Sequence, residues 1–71
     1  MSGDDAGAGA DEARERIQKL LVQGDNRLKQ GGAEKARESW ERALAVAIEA
    51  GLEERVRPLV EIRLADADRL G

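Results

Sequence analysis

Two glycine breaks divide this chain into three segments in which apolar residues recur every three or four positions. The breaks are Gly31-Gly32 and Gly51. Spacing of this kind places the apolar side chains on one face of an α-helix, and a glycine at the end of such a segment commonly adopts the left-handed conformation that stops a helix. The pattern therefore predicts an all-α fold, in which two helices form an antiparallel hairpin and a third helix follows.

The first two helices are expected to pack through facing apolar stripes. We expect the first helix to begin near Asp11, whose carboxylate can cap free backbone N–H groups, and to end at Gln30. Small residues such as Gly24 let two helix backbones approach closely, and Trp40 would fill the volume between them. The stripes comprise Ala13, Ile17, Leu20, Leu21, Gly24 and Leu28 in the first helix and Ala33, Ala36, Trp40, Ala43, Leu44 and Ala47 in the second.

The third helix is expected to run from about Leu52 to Leu70. Pro58 cannot donate to the helical hydrogen-bond ladder, so we expect a kinked start to this helix. The first ten residues contain nothing that could join a packed core. The chain therefore divides into a disordered tail, residues 1–10, and a single three-helix domain, residues 11–71.

Opposite charges spaced four residues apart are expected to mark solvated outer faces. Each such pair stabilises its helix by only about 0.2 to 0.5 kcal/mol. The pairs are Glu12 with Arg16, Glu15 with Lys19, Asp25 with Lys29, Glu38 with Arg42 and Glu53 with Arg57.

Composition argues against most kinds of chemistry. The chain has no cysteine and no histidine, which removes the usual zinc ligands and the usual general base. Its net charge is -3, and basic and acidic residues are interleaved without a basic patch. The longest apolar run, residues 43–48, is too short to cross a bilayer. We expect a soluble cytoplasmic protein that is not an enzyme, with no metal, cofactor or small-molecule substrate and no nucleic-acid or membrane partner.

The hairpin segment resembles a tetratricopeptide repeat. That family's hairpin has a glycine in its first helix, a glycine at the turn, then a small residue, an aromatic residue and an alanine in its second helix. Gly24, Gly31, Ala36, Trp40 and Ala43 match those requirements in order. The resemblance covers residues 17–50, and residues 51–71 are similar to the start of a following repeat. It implies one hairpin plus a half repeat and a protein-interaction (adaptor or scaffold) role.

A second family also has this outline. Three helices in about seventy residues resemble the microtubule-interacting and trafficking domain, whose last helix has a pattern similar to Leu64, Ala67, Asp68 and Leu70. That resemblance implies binding of a helical tail in a groove beside the third helix. An engineered helical scaffold would share the charge patterning and is a further alternative.

The third helix has more apolar surface than one hairpin can cover. Its apolar residues spread over an arc of about 200° on a helical wheel, whereas a helix at the edge of a small domain buries a stripe of about 100° or slightly more. We expect the surplus to bind a partner helix or peptide, or an identical chain to form a homodimer. A longer repeat array, in which the next helix covers the surplus, is the alternative. The expected partner-binding residues are Leu59, Ile62, Leu64, Leu70 and Val22.

Overall fold

The chain folds into three α-helices, which confirms the predicted all-α class. The computed structural model describes the backbone of residues 2–70 and the side chains of residues 9–69, and within that part there is no strand. The helices are α1 (Ser2–Lys29), α2 (Ala33–Ala50) and α3 (Glu53–Leu70). They are joined by turns of only three and two residues, so successive helices run in opposite directions.

The observed start of α1 differs from the predicted one. The helix begins at Ser2, nine residues before Asp11, where the capping argument placed its start. Alanines at positions 6, 8 and 10 favour a helix in this segment and glycines at positions 3, 7 and 9 oppose it, so residue propensity does not account for the extension. The side chains of residues 1–8 lie outside the described residues, so the division into a tail of residues 1–10 and a domain of residues 11–71 stays a prediction.

Both turns end the preceding helix with the same backbone motif. Gly31 has a φ of 86° and Gly51 a φ of 73°, the left-handed region that glycine adopts without steric cost. After α1, the amide of Gly32 donates to the carbonyl of Arg27 at 2.8 Å. After α2, the amide of Leu52 donates to the carbonyl of Ala47 at 2.7 Å. These bonds satisfy carbonyls that would otherwise lack a partner at the helix ends.

The core of the hairpin is built around Trp40, as the apolar spacing predicts. This side chain is 1% exposed, and its indole Nε1 donates to the backbone carbonyl of Leu21 at 3.3 Å. Gly24 lies directly beneath the indole ring and leaves room for it. The fully buried alanines of α2 allow the close approach of the two helices; they are Ala36, Ala43 and Ala47.

Helix α3 packs mainly on α2 and contacts α1 only slightly. It buries Val56, Val60 and Ala67 on one face, at successive steps of four and seven residues. An ion pair between Arg37 near the start of α2 and Asp68 near the end of α3 shows that these helices are antiparallel. The helix continues through Pro58, whose ring lies on the exposed side.

The ion pairs agree with the sequence prediction in one case and differ in the others. Glu53 and Arg57 pair as expected, and hydrogen bonding and charge attraction from Glu53 raise the pKa of Arg57. The carboxylate of Asp25 does not pair with Lys29, because it binds the guanidinium of Arg63 on α3. Among the described side chains, the predicted partners of Arg16, Lys19 and Arg42 do not reach them to form ion pairs.

Candidate functional site

An open groove lies between α1 and α3, on the side where these two helices barely touch. Because α3 packs mainly on α2, the face of α3 that is next to α1 makes few contacts with α1. The volume of the groove is about 360 Å³. We call this feature the α1/α3 groove. Its lining residues are Arg14, Ile17, Gln18, Leu21, Val22, Leu59 and Arg63.

The floor of the α1/α3 groove is apolar and two of its rim residues are exposed apolar side chains. Ile17 and Leu21 form part of the hairpin core and are buried. Val22 on α1 is 51% exposed, and Leu59 on α3 is 45% exposed. Covering exposed aliphatic surface next to a concave apolar floor with a second apolar surface lowers the free energy.

Arg63 fixes the two walls of the groove relative to each other. Its Nε donates to Oδ1 of Asp25 on α1 at 3.0 Å, and its Nη1 donates to the backbone carbonyl of Leu59 at 3.0 Å. The arginine side chain is 29% exposed and the aspartate side chain 40% exposed. Because the guanidinium donates both to Asp25 and to the carbonyl of Leu59, these bonds orient it along the groove.

The five predicted partner-binding residues do not all have the same surroundings. Val22 and Leu59 line the α1/α3 groove, and Ile62 is 61% exposed one turn further along α3. Leu64 is different: it is half-buried and packs against the core, because it lies on the same side of α3 as Val60. Leu64 as a partner-binding residue stays a prediction, with less exposed surface than Leu59 or Ile62. The side chain of Leu70 lies outside the described residues.

Two features were missed by sequence reasoning. The role of Arg63 in tying α3 to α1 has a weak signal, namely a charged residue at the edge of an apolar helical stripe. The second is Ile48, which is 50% exposed on α2. Its position off the main stripe of α2 could have identified it.

The groove offers apolar contact area and hydrogen-bond donors. Its lining combines aliphatic side chains with two arginines and one amide, and it contains no carboxylate. Such a surface can bury apolar side chains and can donate hydrogen bonds from Gln18, Arg14 and Arg63. Elsewhere, within the described residues, there is no cluster of three or more carboxylates placed to hold a metal ion.

Over the described residues, each of the three helices is too polar to cross a lipid bilayer. Comparisons of the chain with protein-family models, with curated proteins and with solved structures give no match.

Proposed function

We propose that this protein is a protein-interaction module that binds a partner helix or peptide, or a second copy of itself, through the α1/α3 groove. The observation that carries the proposal is the exposed aliphatic surface of Leu59 and Ile62 on α3, continued by Val22 across the groove. Covering each half-exposed side chain would contribute about 1 kcal/mol to binding. We also propose a cytoplasmic location for this module, which its lack of disulfide-forming cysteine allows.

The packing of the hairpin supports a tetratricopeptide-type architecture for this module. Gly24 and Trp40 make the close interhelical contact that the resemblance implies. The turn glycine Gly31 adopts the left-handed conformation expected at that point. Packing of α3 mainly on α2 is consistent with α3 as the first helix of a following half repeat.

A helical tail bound beside α3, as in microtubule-interacting and trafficking domains, is the second candidate. One observation favours it: the α1/α3 groove is bordered by Leu59 and Arg63 of α3, the helix beside which that family binds its ligand. The two candidates differ in whether the occupant is necessarily helical. Circular dichroism of a bound peptide, with the protein spectrum subtracted, separates them.

The test of the proposal compares two aspartate substitutions on the same helix. Ile62→Asp puts a charge on the exposed aliphatic surface that Ile62 forms with Leu59, and Ala65→Asp makes the same charge change at an exposed position of α3 that carries no large apolar side chain. Size-exclusion chromatography with light scattering, over a range of micromolar concentrations, measures self-association. Capture from cell extract with immobilised protein, followed by mass spectrometry, measures other partners.

We expect Ile62→Asp to abolish either a concentration-dependent dimer or capture of a specific partner, and Ala65→Asp to retain the same property. Circular dichroism of both variants is the control, and both should stay helical. The proposal is wrong if the wild type is monomeric and if it captures the same proteins as Ile62→Asp in the same amounts.

A further inference from the structure

A second groove lies on the hairpin of α1 and α2, and no residue of α3 lines it. Its chemistry differs from that of the α1/α3 groove. It lies between α1 and α2 and has a volume of about 670 Å³, nearly twice that of the α1/α3 groove. Its apolar part comes from Leu20 on α1 and from Val46 and Ile48 on α2. Leu20 and Val46 are half-buried against the core, and Ile48 is half-exposed. We call this feature the hairpin groove.

Cations border the hairpin groove on both sides. Arg16 and Lys19 stand on the α1 side and Arg42 stands on the α2 side, with Glu49 as the one carboxylate of the lining. All three cations are exposed, and no ion pair within residues 9–69 involves them. Their charges are therefore available to a ligand. Their aliphatic stems extend the apolar surface towards the rim.

The positive surface continues beyond the groove towards the turn between the helices. A smaller depression shares Arg42 with the hairpin groove and is also lined by Arg27, Lys35 and Glu38. Another depression beside Arg42 is lined by Glu38 and Glu41, so the whole face carries five cations and three carboxylates. The chain as a whole carries a net charge of -3. A local excess of cations on an acidic protein attracts acidic ligands to this face and repels basic ones.

We propose that the hairpin groove binds an acidic amphipathic helix of a partner protein. An apolar strip with cations along both sides matches a helix whose apolar stripe has carboxylates on both flanks. The groove follows two helices of the hairpin and its apolar residues lie in a concavity, which suits a helical ligand better than a flat bilayer surface. This site is separate from the α1/α3 groove and has a different occupant.

The probe for this proposal is a synthetic helical peptide of 18 residues, the length of α2. The first version has a leucine stripe flanked by glutamates, and the second has the same stripe flanked by lysines. A third version has the glutamate composition in scrambled order and lacks the stripe. Binding is measured by fluorescence anisotropy of labelled peptide at low and high salt, and the site is mapped by amide chemical shifts of the protein.

We expect the glutamate-flanked peptide to bind on the order of tenfold more tightly than either other version, because three surface charge pairs act together. Its binding should weaken at high salt. The largest shifts should occur at Arg16, Lys19 and Ile48. Reversal of two rim charges, Arg16→Glu with Arg42→Glu, should transfer the preference to the lysine-flanked peptide.

Two control variants separate this site from the α1/α3 groove. Arg55→Glu makes the same type of charge reversal at an exposed α3 residue outside the hairpin groove and should retain the wild-type preference. Ile62→Asp disrupts the surface proposed above and should also bind the glutamate-flanked peptide normally. The two proposals can therefore fail independently.

Three results would overturn the proposal. One is equal affinity for the glutamate-flanked and lysine-flanked peptides. Another is a shift pattern centred on Val22, Leu59 and Ile62. The third is binding to phosphatidylglycerol vesicles or to a single-stranded oligonucleotide that is as tight as peptide binding and equally sensitive to the double charge reversal, since that would assign the cations to a general polyanion surface.

Discussion

The indole of Trp40 occupies the space that any side chain at position 24 would need. A β-carbon placed on Gly24 would lie 2.3 Å from Nε1 of Trp40 and 2.5 Å from its Cδ1. The same Nε1 donates to the carbonyl of Leu21, one turn before Gly24, at 3.3 Å. The absence of a side chain at residue 24 and the hydrogen bond from the indole together set how closely α2 approaches α1.

Substitution of Gly24 should therefore destabilise the protein even though glycine is a poor helix former. Gly24→Ala gains up to about 1 kcal/mol of helix propensity. Displacement of the indole costs about 1 to 3 kcal/mol in overpacking and also weakens a buried hydrogen bond of about 1 kcal/mol. We expect a net loss of about 1 to 3 kcal/mol in the free energy of unfolding, measured by urea denaturation with circular dichroism.

Gly9→Ala is the matched control, because Gly9 lies in the same helix and an added β-carbon there meets nothing within 4 Å. It should be neutral or stabilising. Equal midpoints for Gly24→Ala and the wild type would contradict the close contact.

The contribution of Trp40 can be separated from that of Gly24 by a double-mutant cycle. Trp40→Ala should cost about 3 to 5 kcal/mol, a large share of the stability available to a domain of this size. Trp40→Leu is milder and leaves room beneath the side chain. Gly24→Ala in the Trp40→Leu background should then cost less than it does in the wild type, which gives a coupling energy above about 0.5 kcal/mol. Additive effects would show that the two residues do not interact.

The features predicted correctly from the sequence are those that local rules determine. Apolar spacing identified the three helices, glycine placement identified the left-handed turn at Gly31, and small residues opposite one aromatic residue placed Trp40 in the core. These signals lie within one helix or one turn. They need no knowledge of which helices pack together.

The features that the sequence could not predict depend on contacts between distant parts of the chain. The partner of Asp25 is 38 residues away, and a helical wheel could offer only Lys29 on the same helix. Leu64 lies within the broad apolar arc of α3, and only the position of α2 decides that it packs against the core. Leu59 and Ile62 were identified as exposed because the same arc is too wide for one neighbour to cover, and Val22 because it lies off the apolar stripe of α1.

The ion pair between Asp25 and Arg63 should stabilise the placement of α3 beside α1. Both side chains are partly exposed, so we expect a coupling energy of about 0.5 to 1 kcal/mol from the cycle Asp25→Asn with Arg63→Gln. The coupling should decrease in high salt. The pair Asp11 and Arg14 is a control, since its side chains are 77% and 56% exposed and its coupling should be smaller. Equal coupling energies for the two pairs would contradict the interhelical role.

The left-handed conformation of Gly51 predicts a cost for any side chain at this turn. An alanine there is strained by about 1 kcal/mol, and asparagine, which tolerates this conformation better, should cost less. An added β-carbon meets nothing within 4 Å, so conformational strain is the cause and not a clash. Thermal unfolding should rank the wild type above Gly51→Asn and Gly51→Asn above Gly51→Ala. An alanine variant as stable as the wild type would show that the turn can adopt another conformation.

Leu64 and Ile62 lie two residues apart on α3 and should respond oppositely to truncation. Leu64 packs against the core, so Leu64→Ala should lower the free energy of unfolding by about 2 kcal/mol. Ile62 is 61% exposed, so Ile62→Ala should change it by about 0.5 kcal/mol or less and should instead weaken association through the proposed surface. Chemical denaturation measures the first effect and light scattering or partner capture measures the second. A reversed order of stabilities would mean that Ile62 is enclosed within the folded protein, and the surface available for binding would then lose its main apolar residue.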